Sequence, residues 1–282
     1  NILVVITTAF VPTGGLTTVM MNYYRMMNKE EVKIDFASTN NPPQVLLDEI
    51  HASGSEYYQL SDRKNVLAYF FALKKLCRGY DAIHVHANSA MAVMELQAAI
   101  WAGIKIRIIH NHSSRSQHNL LNQLFLSLYR RSFTQAVACS DEAGEWLYGK
   151  NGFITLRNAI NAKRFKFDVV KRLIMRHNFG FGDDEYVIGH IGKFMEAKNH
   201  SFLIEVFAKY HALQPKSKLL LIGDGELRHL VEAAIDKNKV NDCVILAGLR
   251  SDISDVLQAM DIFLFPSIYE GCLLYTSDAA DD

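Results

Sequence analysis

The sequence predicts an α/β protein built from two doubly wound, Rossmann-like parallel-sheet domains, and three observations carry that reading. Short continuous apolar runs, as expected of strands buried on both faces, alternate with segments whose apolar residues recur at helical spacing. The connections between them are short. The alternation breaks once, over the polar and basic stretch 157–168 (RNAINAKRFKFD), and then restarts. That break is read as the boundary between a first domain, 1–160, and a second, 161–272.

Residues 2–6 (ILVVI) open the first domain as a buried strand. The loop 7–15 ends in Gly14-Gly15, after which Leu16, Val19, Met20, Tyr23 and Met27 fall on one helical face. The glycine pair is either a tight turn, the preferred reading, or a source of backbone N–H groups for an anion. The pattern then predicts strand 33–38, helix 45–52, strand 57–60, helix 66–77, strand 82–86, helix 90–102 and strand 105–109. Helix 120–133, strand 136–139, helix 142–148 and strand 153–156 complete the domain. In the second domain, strand 187–191 precedes helix 201–213, which Pro215 stops. Strand 218–222 leads through Gly223-Asp224-Gly225 into a helix with Leu227, Leu230, Val231 and Ala234 on one face. Strand 244–247, helix 253–260 and strand 262–265 follow. The stretch 273–282 (LLYTSDAADD) has neither capping signals nor alternation, so a tail foreign to the fold and a truncated second domain are expected. The start at Asn1, with no initiator Met, reads as trimmed or as a fragment.

Composition narrows the function classes. With 49% hydrophobic and 21% charged residues among 282, the chain can bury a substantial core. Zero formal net charge and a pI near 7.3 lack the basic footprint of a nucleic-acid binder. Four cysteines without CxxC spacing argue against a disulfide framework or a Cys-rich zinc site and suit a reducing cytosol. No apolar run reaches the length of a membrane span, and 2–6 is too short for a signal segment, so a cytoplasmic location is expected.

The clearest anion-site signal is 186–199, YVIGHIGKFMEAKN. A strand breaks at Gly192, the loop carries Lys193 and Lys198, and a helix opens near Asn199. Glycine lets backbone approach a ligand, a helix start offers unpaired N–H groups, and two ammonium groups suit a diphosphate. Two His-x-His pairs, His84/His86 and His110/His112, stand at strand ends, each pair on one side of its strand. They are metal ligands, packed histidines, or the source of one catalytic histidine; with no HExxH or acidic ligand set, the metal reading is the weakest and none is assigned. Glu270-Gly271 follows an apolar strand and a proline, where carboxylates accept hydrogen bonds from sugar or ribose hydroxyls. The chain has no G-x-S-x-G elbow, no P-loop, no G-x-G-x-x-G and no Asp-x-Asp clamp, which removes the best support for serine hydrolases, ATPases and classical dehydrogenases.

As an ordered set, GG at 14–15, HNH at 110–112, ACS at 138–140, RNAIN at 157–161, HIGKFMEAKN at 190–199, LLLIGDGELR at 219–228 and FLFPSIYEG at 263–271 resemble the retaining nucleotide-sugar glycosyltransferases of the GT-B fold. The resemblance is to glycosyltransferase family four, of the capsular or exopolysaccharide type, and covers residues 1 to 271. It implies an acceptor-side first domain and a donor-binding second domain. By position, Lys193 and Lys198 match the basic pair that grips the donor diphosphate, with Lys193 where the family usually has arginine. Gly223 and Gly225 match the turn beside the nucleotide, and Gly14 and Gly15 the loop whose amides face the diphosphate. His112 matches the histidine near the reaction centre, with His110 a near-equal candidate. Glu270, followed by Gly271, matches the first acid of an E-x7-E motif; the second would fall at Asp278, inside the anomalous tail.

The implied reaction moves a hexosyl group from a nucleoside-diphosphate sugar, a UDP-sugar first, to a hydroxyl of a glycan or lipid-linked acceptor with retention. It needs no protein nucleophile, no cofactor and no metal, and a lipid-linked acceptor would bring the enzyme to the inner face of the membrane. The rivals are an epimerase or phosphorylase of the same architecture, a non-catalytic sugar-nucleotide-binding fragment, and a metal-dependent hydrolase using the His-x-His pairs.

Overall fold

The computed structural model describes residues 1–12, 14–114 and 119–268. These divide into two units, residues 1–160 and 161–268. In the first, the apolar runs become β1 (Ile2–Ile6), β2 (Ile34–Ser38), β3 (Tyr57–Gln59), β4 (Ala82–Ala87), β5 (Ile106–Asn111), β6 (Gln135–Ala138) and β7 (Ile154–Thr155). All pair in parallel, in the order β3-β2-β1-β4-β5-β6-β7. The reversal of order beside β1 is the topological switch of a doubly wound sheet.

Helices α1 (Gly15–Met26), α2 (Gln44–Ala52), α3 (Val66–Cys77), α4 (Val93–Ala102), α5 (Asn119–Ser132) and α6 (Asp141–Tyr148) connect the strands. Both sheet faces are therefore covered, and alternate residues of one strand serve two cores. Leu3, Val5, Ile83 and Val85 join one apolar cluster with α3 and α4 residues; Val4 and Ile6 join the other with Phe10, Met20, Tyr24 and Phe36. Helix α3 shows the periodicity behind this, burying Tyr69, Leu73 and Cys77 at steps of four. Each such fully buried large side chain contributes about 1.5–3 kcal/mol.

The second unit opens with α7 (Val169–Phe179), capped by Asp168, whose carboxylate accepts from the Val170 and Lys171 N–H groups. Then come β8 (Tyr186–Ile191), α8 (His200–Leu213), β9 (Ser217–Ile222), α9 (Arg228–Asn238), β10 (Val244–Leu246), the short α10 (Ile253–Val256) and β11 (Ile262–Phe263). The parallel sheet runs β10-β9-β8-β11. Close packing of Met260, just before β11, against this sheet explains Gly189: a Cβ there would lie 1.9 Å from the Met260 sulfur.

Three expected elements differ. The helix expected over 90–102 begins as a 3₁₀ turn, Ala90–Ala92, whose first N–H donates to the buried Asn122 side chain at 2.7 Å. The helix expected over 253–260 is α for four residues and 3₁₀ thereafter. The strand expected over 262–265 ends at Phe263, since the Leu264 carbonyl faces the His190 imidazole at 2.9 Å instead of a ladder partner. The expected tail at 273–282 lies outside the described residues. Among the described residues, no helix is long and apolar enough to cross a membrane.

Candidate functional site

In the first unit the chemistry gathers where β1, β4 and β5 end. Register places Ile6 beside His86 and His86 beside His110, with Val4, His84 and Ile108 forming the row below. The two His-x-His pairs, 26 residues apart in sequence, thus meet on one sheet face. His84 and His86 have ring centroids 4.2 Å apart, and His110 and His112 4.1 Å apart. His86 Nδ1 lies 2.9 Å from His112 Nε2. The β4 end is anchored by the Thr7 hydroxyl, which donates to the His86 carbonyl, and by the His112 N–H, which donates to the Ala87 carbonyl.

Burial sets the protonation of this group. It pushes the His84 imidazole down to about 4 and, with His84 alongside, that of His112 to about 3. His86 and His110 are driven well below the ordinary range by burial first and by the surrounding imidazoles second. All four are neutral at pH 7, each ring carrying one N–H and one lone pair. Of the two histidines offered for the reaction centre, His110 is fully buried and has no surface to present to a substrate, whereas His112 is partly exposed.

Gly14 and Gly15 open α1. The Gly14 N–H donates to the Val11 carbonyl at 2.9 Å, so this amide closes a turn, the reading preferred from sequence. The first helical bond runs from the Thr18 N–H to the Gly14 carbonyl, which leaves the amides of Gly15, Leu16 and Thr17 without intrahelical acceptors. Ser140 of the ACS motif is an N-cap, its hydroxyl accepting from the Ala143 N–H.

In the second unit, the loops after β8 and β9 pack backbone against backbone. Gly223 has φ 139°, and a Cβ there would sit 2.0 Å from the Gly192 carbonyl oxygen. A Cβ on Gly225 would sit 2.5 Å from the Phe194 carbonyl oxygen. The Phe194 N–H donates to the Asp224 carbonyl, and the Leu227 N–H to that of Phe194. Side chains are excluded at this seam, and the buried Phe194 ring pins it. Lys193 projects from it, exposed.

Lys198 closes a 3₁₀ turn, Glu196–Lys198, and Asn199, at φ 53°, turns the chain into α8. Its Nζ lies 5.4 Å from the centroid of the Phe265 ring, within cation–π range. The segment that leads toward Glu270 is stitched to the same turn: the Ile268 N–H donates to the Ala197 carbonyl, and the Asn199 amide to that of Pro266. Glu270 and Gly271 themselves lie outside the described residues. Two participants were not singled out from sequence, Asn199 and Phe265. An asparagine before a helix hints at a left-handed turn, but nothing local foretells that Phe265 meets Lys198.

Comparison with known proteins identifies the family and the fold. Residues 13–170 match the family described as Glycosyltransferase Family 4, and residues 185–280 the family described as Glycosyl transferases group 1. The chain is 28% identical over 275 residues to EpsF of Bacillus subtilis (strain 168), described as a glycosyltransferase; the match spans 92% of this chain and 71% of EpsF. It is 22% identical to the Escherichia coli UDP-Gal:alpha-D-GlcNAc-diphosphoundecaprenol alpha-1,3-galactosyltransferase, over 94% of this chain and 73% of that one. Among solved structures, Anabaena HepE in complex with UDP and glucose superposes with a TM-score of 0.80 at 17% identity, covering 95% of this chain and 75% of HepE. That likeness speaks to the two-domain GT-B fold.

Proposed function

This chain belongs to glycosyltransferase family 4, and on that premise we propose that it transfers a hexosyl group from a UDP-sugar to a hydroxyl of a glycan or lipid-linked acceptor, with retention, in polysaccharide synthesis. The observation that carries the donor half is the seam between 192–194 and 223–225, where glycine backbone is close-packed, the Lys198 side chain lies beside Gly192 and the exposed Lys193 leaves the loop. Such a surface suits a diphosphate: backbone without side chains lets the ligand approach, and the two cations meet its charge and stabilise the departing nucleoside diphosphate without a metal. Residues 161–272 are accordingly assigned to the donor and 1–160 to the acceptor. His112 is the histidine assigned to the reaction centre, with Glu270 toward the donor sugar and Gly14-Gly15 toward the diphosphate. One relative, named for UDP-Gal and for a diphosphoundecaprenol acceptor, supports both halves. A lipid-linked acceptor would draw the enzyme to a membrane surface.

Thermal unfolding with UDP, GDP and ADP tests the donor half. UDP at a hundredfold over its Kd is expected to add about 2.7 kcal/mol of stability, with GDP and ADP well behind. Equal shifts from all three, or none, overturn the assignment. Transfer to an undecaprenyl-diphosphate sugar, with the anomeric configuration of the product read by NMR, tests the rest. An inverted product, or a UDP shift without transfer to any acceptor, overturns that part.

A further inference from the structure

The histidine cluster holds more imidazole than a transferase reaction centre uses. His84, His86 and His110 each place a ring nitrogen within 4.8 Å of the others. His110 exposes none of its surface, and neither of its ring nitrogens has a hydrogen-bond partner; His84 Nε2 is likewise buried without one. A buried polar atom left unpaired costs about 1–3 kcal/mol, so three on adjacent strands are a large expense with no return inside the chain. Native interiors keep such groups when something outside the chain satisfies them.

The geometry points to a divalent transition-metal site formed by His84, His86 and His110. Three imidazoles with ring nitrogens this close are a donor set for zinc, cobalt, nickel or copper, and the lack of carboxylates disfavours magnesium, calcium and manganese. Two ligands of a tetrahedral zinc at about 2.0–2.1 Å stand about 3.3 Å apart, a closure that rotation of the imidazoles about their side-chain bonds supplies. His86 offers Nε2, because its Nδ1 faces His112 Nε2. His112 is then a positioning residue that holds the His86 ring and its tautomer. Bound there, the ion ties the ends of β4 and β5 together. The site is independent of the donor assignment, and the proposed transfer takes no step through the ion.

The test uses the full chain, stripped with chelator and dialysed, then titrated with Co²⁺ and followed by its visible d–d absorption, with Zn²⁺ added as competitor. One Co²⁺ per chain, displaced by Zn²⁺, and a Zn²⁺-dependent rise in the unfolding midpoint are expected. His84→Gln, at a partly exposed position, is expected to abolish the spectrum. His112→Gln should keep the spectrum but weaken affinity about 10–100-fold, and His229→Gln, at an exposed histidine in the second unit, should change nothing. Absence of the bands, a wild-type spectrum in His84→Gln, undiminished affinity in His112→Gln, or loss of the bands in His229→Gln would each overturn the site. If His84→Gln does not fold, the other two variants decide.

Discussion

Gly223 has no tolerance for a side chain, because its Cβ direction is occupied by the Gly192 carbonyl and its φ lies in glycine territory. Gly223→Ala is therefore expected to lose the UDP-induced thermal shift and to destabilise the protein by about 1–3 kcal/mol. Gly248 has a similar handedness, φ 65°, but open space around it, so Gly248→Ala should lower the unfolding midpoint while the UDP shift survives. Lys198→Ala, assayed for transfer, is expected to lower turnover by about 10²–10³-fold, the usual cost of one charge-stabilising donor, with the circular-dichroism spectrum unchanged. Turnover at the wild-type level would remove Lys198 from the donor site. At this scale the residue types were legible: Gly, Lys and His stood out by identity and position. Their partners were not, since Phe265 reaches Lys198 and Gly192 meets Gly223 only through folding.

Helices and strands carry their own obligations. Helix α7 buries one charged residue, Arg176, 3% exposed, and it serves as a clasp. Its guanidinium donates to the carbonyls of Ala259, Gly182 and Glu185 and to the Asp261 carboxylate, which in turn accepts from the Val187 N–H at the start of β8. Removing it leaves three carbonyls without their donor, while Asp261 keeps its pairing with Arg172, so Arg176→Ala should cost about 1–3 kcal/mol in urea unfolding. At the start of α8, His200 is 4% exposed, and burial, then His190 and Lys198, push its imidazole down to about 4. The unfolded chain takes up this proton near pH 6.5 and the folded one does not, so stability is complete above about 6.5 and falls as pH drops toward 4, by up to about 3 kcal/mol. His200→Leu should flatten that slope by one proton in pH-dependent unfolding. Sequence periodicity located α8, but not the clasp in α7, because nothing in a helical pattern tells which polar residue will face inward.

For the whole molecule, the formal net charge of zero and pI near 7.3 leave little colloidal repulsion at neutral pH. Light scattering is expected to show greatest self-association near that pH and less on either side; a monotonic trend through it would disprove this. The uncharged balance also fits a protein whose ligand is gripped locally rather than steered by a global field.

The order of strands and helices, the boundary near residue 160 and the membership of a glycosyltransferase family could all be determined by the sequence alone. These rest on local signals: apolar runs, helical spacing, punctuating glycines and an ordered set of motifs. Tertiary structure decided what comes together. Parallel strands pair across crossovers of many residues, so no local pattern sets their neighbours, yet a register fixed by burial on both faces brings His86 beside His110. Sheet order likewise brings the loops after β8 and β9 into backbone contact, giving Gly192 and Gly223, 31 residues apart in the chain, a single shared surface.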